Sequence, residues 1–429
     1  MPRPIRTLSL FMLVLVASPS LALAQDSTLT LDQALRLAKE RNGTIRSAQY
    51  DVNAAESRVT QAFSAFLPTV TPQYQYNNIR RDGNQPLFVT NGDAGLLSGN
   101  WRLLDSGERD FSYRSSKHSL YASRFNAKQT LRTTLFAVTQ QFYDALRFQE
   151  LARVADSQVD RAQTIYDQTM LRIKLRDAAA IEELQADADL QNAKVAVLTA
   201  RNRVTNAAAS LKSAIGLDAG QALPTLEKDT AELPEMPGNL DSIVTEGLRQ
   251  RPDLLSRREA LDSERLTRSR AQREAGVSFA LDLSNDYQFS PSRLNNRNLG
   301  LVVSYPLFDG GRTRAIVREL SANISADSAL LLQAERDARA EIEAAAAEAR
   351  TNRERLVAAK KALDAAQKNF EAAVNSRSKG ASDLLQVITA QVSLVTAESN
   401  HIEAQYDSRI SDARLRLVTG QPVPGEDNP

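Results

Sequence analysis

The sequence predicts a mainly α chain made by tandem duplication, each half supplying one β-hairpin and one long helical hairpin, so that four strands arise in all. Three observations carry this: two long stretches without glycine or proline, a repeat that keeps one fixed offset, and short runs of alternating apolar and polar residues. Between Gly107 and Gly216, and again between Gly311 and Gly380, neither helix breaker occurs. Interior Gly and Pro cost a helix about 1 and 3 kcal/mol relative to Ala, so these runs read as near-continuous helix. At an offset of 204, Leu103 meets Leu307, Asp105 meets Asp309, Gly107 meets Gly311, Leu190 meets Leu394 and Gly216 meets Gly420, with no gap. Upstream the offset moves to about 208, pairing Glu56 with Glu264 and LDQALRLAKERN with LDSIVTEGLRQRP.

Residues 1–24 carry a basic start (Arg3, Arg6), an apolar run from Leu8 to Val16 and a small-residue exit Ala22-Leu23-Ala24, the pattern of a cleaved secretory signal. Its removal leaves 51 basic against 52 acidic residues, a net charge of −1. The first repeat then spans 25–216, with a helix, a β-hairpin at about 69–104 and a long helical hairpin over 108–216. A Pro- and acid-rich connection follows at 217–239. The second repeat covers 240–420, with a helix, a hairpin at about 277–306 and a helical hairpin over 311–420, and 421–429 form a short tail.

Alternation locates the strands. Val277, Phe279, Leu281, Leu283 and Tyr287 face one way, with Ser278, Asp282, Ser284 and Asp286 opposite; Leu299, Leu301, Val303 and Tyr305 alternate with Gly300 and Ser304. In the first half Leu97, Trp101 and Leu103 oppose Ser98, Asn100 and Arg102, while Val70, Tyr74 and Tyr76 form a weaker partner strand. Polar loops are expected over 77–95 and 289–297.

The helical stretches show coiled-coil spacing: Leu131, Leu135, Val138, Phe142 and Ala145 in the first, Leu356, Ala359, Leu363, Ala366, Phe370 and Ala373 in the second, continued by Leu385, Ile388, Val392 and Val395. At 1.5 Å per residue, helices over 108–175 and 312–378 reach about 100 Å each, too long for a compact core.

Composition removes several classes of function. A near-neutral chain gives no footprint for nucleic acid. There is no Cys and only two His, His118 and His401, each alone in a helical pattern, so no metal or cofactor site and no nucleophile–base constellation is expected, and no enzyme. Beyond the signal, no segment reaches 18 consecutive apolar residues, so any membrane crossing falls to the strands. Leu97, Trp101, Val277, Phe279, Leu281, Leu283, Leu299, Leu301 and Val303 are then the lipid-facing positions. Four strands cannot close a barrel, and an open edge cannot face lipid. Two chains would give eight strands and three would give twelve, with a wider lumen. The alternative is a soluble structural coiled coil carrying a small hairpin sheet.

The order and spacing of LTLDQALRLAKERN, FLPTV, LLDSG and YPLFDGGRTRA in a duplicated chain resemble the TolC-like outer-membrane efflux protein family, over about Leu29 to Gly420. The resemblance implies a homotrimer: a twelve-stranded barrel in outer-membrane lipid continuous with a twelve-helix α-barrel in the periplasm of a Gram-negative cell. It further implies a periplasmic adaptor and an inner-membrane transporter, ABC or proton-driven, as partners in efflux or type I secretion. Asp105, Gly107, Pro306, Asp309, Gly310 and Gly311 would form the two strand-to-helix junctions, the carboxylates capping helix termini and the glycines turning the chain. Arg176, Asp177, Ala178, Ala179, Lys379, Gly380, Ala381 and Ser382 would be the adaptor-docking tips, Arg176 departing from the glycine expected there. The family's acidic pore positions, six and nine residues past the tip glycine, fall on Gln386 and Thr389. The expected constriction is therefore Glu182, Gln386 and Thr389, with Asp383 at its mouth.

Overall fold

The computed structural model describes residues 28–80, 89–218, 220–228, 240–290 and 293–426. The expected signal segment, the turn of the first hairpin and most of the link between repeats lie outside the described residues.

Each repeat opens with two helices rather than the single one expected: α1 (Leu31–Arg41) and α2 (Gly43–Ser64) in the first. Their break is local chemistry. Asn42 cannot extend α1 because its side chain accepts the Thr44 and Ile45 N–H groups, which starts a new helix. In the second repeat the pair is α5 (Leu240–Gln250) and α6 (Pro252–Glu274), where the missing N–H of Pro252 makes it the first residue of a helix and a stop for the one before.

The strands follow: β1 (Thr69–Arg80) with β2 (Val89–Leu104), and β3 (Ser278–Ser290) with β4 (Leu294–Ser304). They run well into the polar segments expected as loops, because ladder hydrogen bonds satisfy the backbone whatever the side chains are. All four form one antiparallel sheet in the order β1-β2-β3-β4, so β2 and β3 join the hairpins and β1 and β4 are open edges. The register puts Val70, Gly99, Leu283 and Leu299 in one cross-strand row and Trp101, Leu281 and Leu301 in another, with Asn100 opposite Asp282 and Ser98 opposite Ser284 on the other face. Two corrections arise at the ends. Val277 stands just before β3 rather than in it, and a bulge at Leu103 brings Leu104, not Leu103, opposite Phe279.

The long helices are α3 (Glu108–Lys174) and α7 (Arg312–Ser378), 67 residues each and so about 100 Å. They return as α4 (Ala180–Ile215) and α8 (Leu384–Val418). The start and end of the long helix and the start of its return each keep the offset of 204 between repeats. Every buried hydrophobic cluster among the described residues lies on the helices and their flanking segments. The largest joins Leu35, Leu135, Val138, Phe142, Leu146, Leu211 and Ile215 with Tyr406 and Val423 of the C-terminal part. A second holds Val244, Ile342, Ala345, Ala349, Leu415 and Val418, and a third, near the far ends, holds Ile165, Ala186, Ala373, Leu384, Val387 and Ala390. The α8 seam thus runs through Leu384, Val387 and Leu394, one residue or more from the expected Leu385 and Val392, which are exposed. Capping at Asp383 makes Leu384 the first helical residue and turns it onto α7.

Among the described residues, no strand position belongs to a hydrophobic core and no strand packs on a helix face. A hairpin sheet resting on the helices is therefore not what this chain makes.

The returning helices end on left-handed glycines, Gly216 (φ 74°) and Gly420 (φ 71°), which abut the ends of α1 and α5. A Cβ on Gly216 would stand 2.9 Å from backbone atoms of Arg41. Gly216→Ala should lower the unfolding free energy by at least the roughly 1–2 kcal/mol of a left-handed Cβ, read as a drop in melting temperature. Gly43→Ala, with nothing within 4 Å, leaves it unchanged or raises it.

Candidate functional site: the strand-to-helix junctions and the helical tips

Both junctions use one geometry. Asp105 accepts the N–H groups of Gly107 (3.2 Å) and Arg109 (3.1 Å); Asp309 accepts those of Gly311 (2.9 Å) and Thr313 (2.9 Å). Each carboxylate caps from two residues upstream, while Gly107 (φ 91°) and Gly311 (φ 84°) occupy the cap position in a left-handed conformation. The negative charge also favours the positive helix terminus. Hydrogen bonds from the Thr313 side chain and from the Thr313 and Gly311 N–H groups hold the Asp309 carboxyl at about 2, so it stays ionised far below neutral pH.

The two differ in burial. Asp105 is buried and pairs with Arg109 Nε at 2.5 Å; Arg109 also donates to the carbonyls of Ala65, Arg102 and Leu103 and lies over the Phe66 ring. One guanidinium thereby ties the end of α2, the end of β2 and the start of α3. Asp309 is exposed, as are Pro306 and its neighbours, Leu307 at 90% and Phe308 at 88%. Gly310 (φ 67°) matches Ser106, which adopts φ 56° despite its side chain.

At the far end the two turns are again equivalent. Asp177 N–H donates to Arg172 O (2.8 Å) and Ala381 N–H to Ser376 O (2.9 Å), each closing a Schellman-type turn around a left-handed residue, Arg176 (φ 63°) and Gly380 (φ 73°). Arg176 holds that conformation without being glycine, steadied by Arg172, whose Nε donates to Asp177 at 2.9 Å. Arg176, Asp177, Ala179, Lys379, Gly380 and Ala381 are exposed, Ala178 and Ser382 half-buried, and Lys379 is the residue that caps the end of α7. Both turns sit at the same end of the molecule and border a groove of about 610 Å³ lined by Arg172, Asp177, Phe370, Arg377 and Val387.

The expected constriction residues are not gathered into one cluster within the protomer. Gln386 and Thr389 are exposed, one helical turn apart on α8. Asp383 spends its carboxylate on capping α8 through the Gln386 N–H (2.9 Å). Glu182 is paired elsewhere, with Arg377 Nη2 at 2.8 Å; the same nitrogen lies 3.5 Å from Thr169 Oγ1. Arg377 and Thr169 are both buried. This link between α7, α3 and α4 has no counterpart in the other repeat, where the residues matching Arg377 and Thr169 at offset 204 are Ile173 and Ala373, so the duplication gives no signal for it. A second cross-link joins Gln391, fully buried, to Asp189, whose carboxyl is pushed up by burial against the opposing effect of that hydrogen bond.

Comparison with known proteins decides the family. The family described as outer membrane efflux protein matches residues 34–217 and again 245–421, one match per repeat. The chain belongs to the outer membrane efflux protein family. Within it, the chain is 23% identical over 406 residues to the outer membrane efflux protein BepC of Brucella suis, covering 91% of this chain and 85% of the relative. It is 24% identical over 409 residues to the outer membrane protein TolC of Vibrio cholerae, covering 89% of each. Its fold matches the crystal structure of the Campylobacter jejuni CmeC outer membrane channel with a TM-score of 0.82 at 18% identity, over 92% of this chain and 87% of that one. For an outer membrane efflux protein, a sheet without a core and helices of about 100 Å are the two halves of one duct.

Proposed function

We propose that three copies of this chain close into a continuous outer-membrane duct, through which an inner-membrane transporter, coupled by a periplasmic adaptor, passes substrates out of a Gram-negative cell. The observation that carries this is the four-stranded sheet, apolar on one face and polar on the other, with no core beneath it and two open edges among the described residues. In lipid an unpaired edge costs several kcal/mol per backbone group, so such a sheet is stable there only when copies complete a cylinder. The 13 residues of β3, at about 3.3 Å each and a tilt near 40°, rise about 33 Å, enough for an apolar band of about 25 Å. Three copies place twelve strands around a lumen wide enough to conduct, and the helices continue that lumen through the periplasm.

The duct does no chemistry and supplies no energy; the transporter does. The tip turns, Arg176 to Ala179 and Lys379 to Ser382, are the adaptor-docking surface, and Gln386 and Thr389 with Glu182 line the narrowest part of the pore. Because Glu182 is held by Arg377, its charge is partly neutralised, and the constriction traps cations less than a ring of free carboxylates would.

Purified protein added to planar lipid bilayers should conduct in discrete steps, and Gln386→Ala should change the step size. Bilayers that remain electrically silent with the unmodified protein would overturn the duct. An unchanged step size would remove Gln386 from the constriction.

A further inference from the structure

Among the described residues the edges β1 and β4 have no partner strand within the protomer, and the second junction is exposed. β2 runs as far as Leu104 because β3 lies beside it, Leu104 opposite Phe279. Its counterpart β4 stops at Ser304, leaving Tyr305, Leu307 and Phe308 exposed. The internal duplication tells what should lie beside them. Adding 204 to a β2 residue gives its β4 equivalent; Thr69 opposes Asn100 and Ser278 opposes Ser304, themselves 204 apart, so within the strands subtracting 209 from a β3 residue gives its β1 equivalent, against about 208 in the helices upstream. The pairs Leu104–Phe279, Trp101–Leu281, Asn100–Asp282 and Gly99–Leu283 within the chain then become Phe308–Val70, Tyr305–Pro72, Ser304–Gln73 and Val303–Tyr74 between copies.

Two features agree with this pairing. The in-chain register places Val70 and Leu299 in one row, so Tyr74 and Val303, each four residues on, share that face and meet apolar to apolar. A slip of one residue would set Val303 against Gln73 or Gln75. The junction also exchanges its side chains. Within the chain, Ser106 Oγ donates to Val277 O at 2.8 Å, and Gly276 must lack a side chain, since a Cβ there would collide with that hydroxyl. Between copies the equivalent of Ser106 is Gly310, with open space around it, and the residue two before β1, as Gly276 is two before β3, is the half-exposed Leu67. The small residue and the larger one have traded sides.

We propose that β4 and residues 305–308 of one copy pair antiparallel with β1 of a second copy in this register, Val303 opposite Tyr74 and Phe308 opposite Val70, with Leu67 seated over Gly310. The joint rests on the trimeric reading above and adds the residue-level pairing between copies.

The chain has no Cys, so introduced pairs are its only thiols. Val303→Cys with Tyr74→Cys, and Ser304→Cys with Gln73→Cys, test two adjacent rungs, one of each hydrogen-bonding type and both with Cα atoms within about 6 Å. Val303→Cys with Tyr76→Cys and Ser304→Cys with Gln75→Cys are displaced by two residues, beyond about 7 Å. Under mild oxidation and non-reducing electrophoresis, the matched pairs should yield covalent trimers at least tenfold more efficiently than the displaced pairs. Preferential linking of the displaced pairs, or no linking while native electrophoresis still shows a trimer, overturns the register and leaves the trimer standing. Unmodified protein that migrates as a monomer overturns both.

Discussion

Replacing Arg109 with alanine should destabilise the protein by about 3–5 kcal/mol, the range for stranding a buried charge by removing its partner. The side chains of Asp105 and Arg109 are 7% and 10% exposed. Without the guanidinium, Asp105 keeps its two backbone donors but loses its counter-charge, and the carbonyls of Ala65, Arg102 and Leu103 lose their donor. Arg109→Lys should recover only part of the loss, since an ammonium cannot reach four acceptors in a plane as the guanidinium does. Denaturant unfolding measures both variants. Thr313→Ala at the equivalent position is the comparison, and its effect should be much smaller because that junction is solvated. If Arg109→Ala and Thr313→Ala cost the same, the first junction is not the anchor.

Replacing Arg377 with alanine should open the periplasmic end. Arg377 links α7 to Glu182 on α4 and Thr169 on α3, and so holds the two helical hairpins together near their tips. A hydrogen bond to a charged group is worth about 1.5–3 kcal/mol, which shifts a closed-to-open ratio by about ten- to a hundredfold. Single-channel records of Arg377→Ala should show larger or longer openings, and Glu182→Gln, which keeps the shape but removes the charge, a smaller change in the same direction. A native-like trimer with unaltered conductance would exclude the pair from gating.

Much of this architecture was legible because its signals are periodic. The absence of Gly and Pro after Gly107 and Gly311 located both 67-residue helices, and the offset of 204 relates the starts of their returns, Ala180 and Leu384. Alternation placed Leu281, Leu301 and Trp101 on one face, as the register has them. Strand ends were less legible, since polar residues such as Asn77 and Asn78 stay in β1 once β2 supplies hydrogen bonds. The α8 seam was displaced because the cap at Asp383, not the apolar spacing alone, sets which face meets α7. Least legible were Arg109 and Arg377. Each acts through contacts brought together by the fold, and neither has an arginine at the matching position of the other repeat, Thr313 and Ile173.

The exposed pair Leu307 and Phe308 fits the same picture, for two large apolar side chains left in water on a protomer mark a surface meant to be covered. The mass of the intact particle extracted from outer membranes in mild detergent, measured by native mass spectrometry, tests the shared duct most directly. Three chains per particle is the predicted result; single chains, with the sheet edges left open, would contradict it.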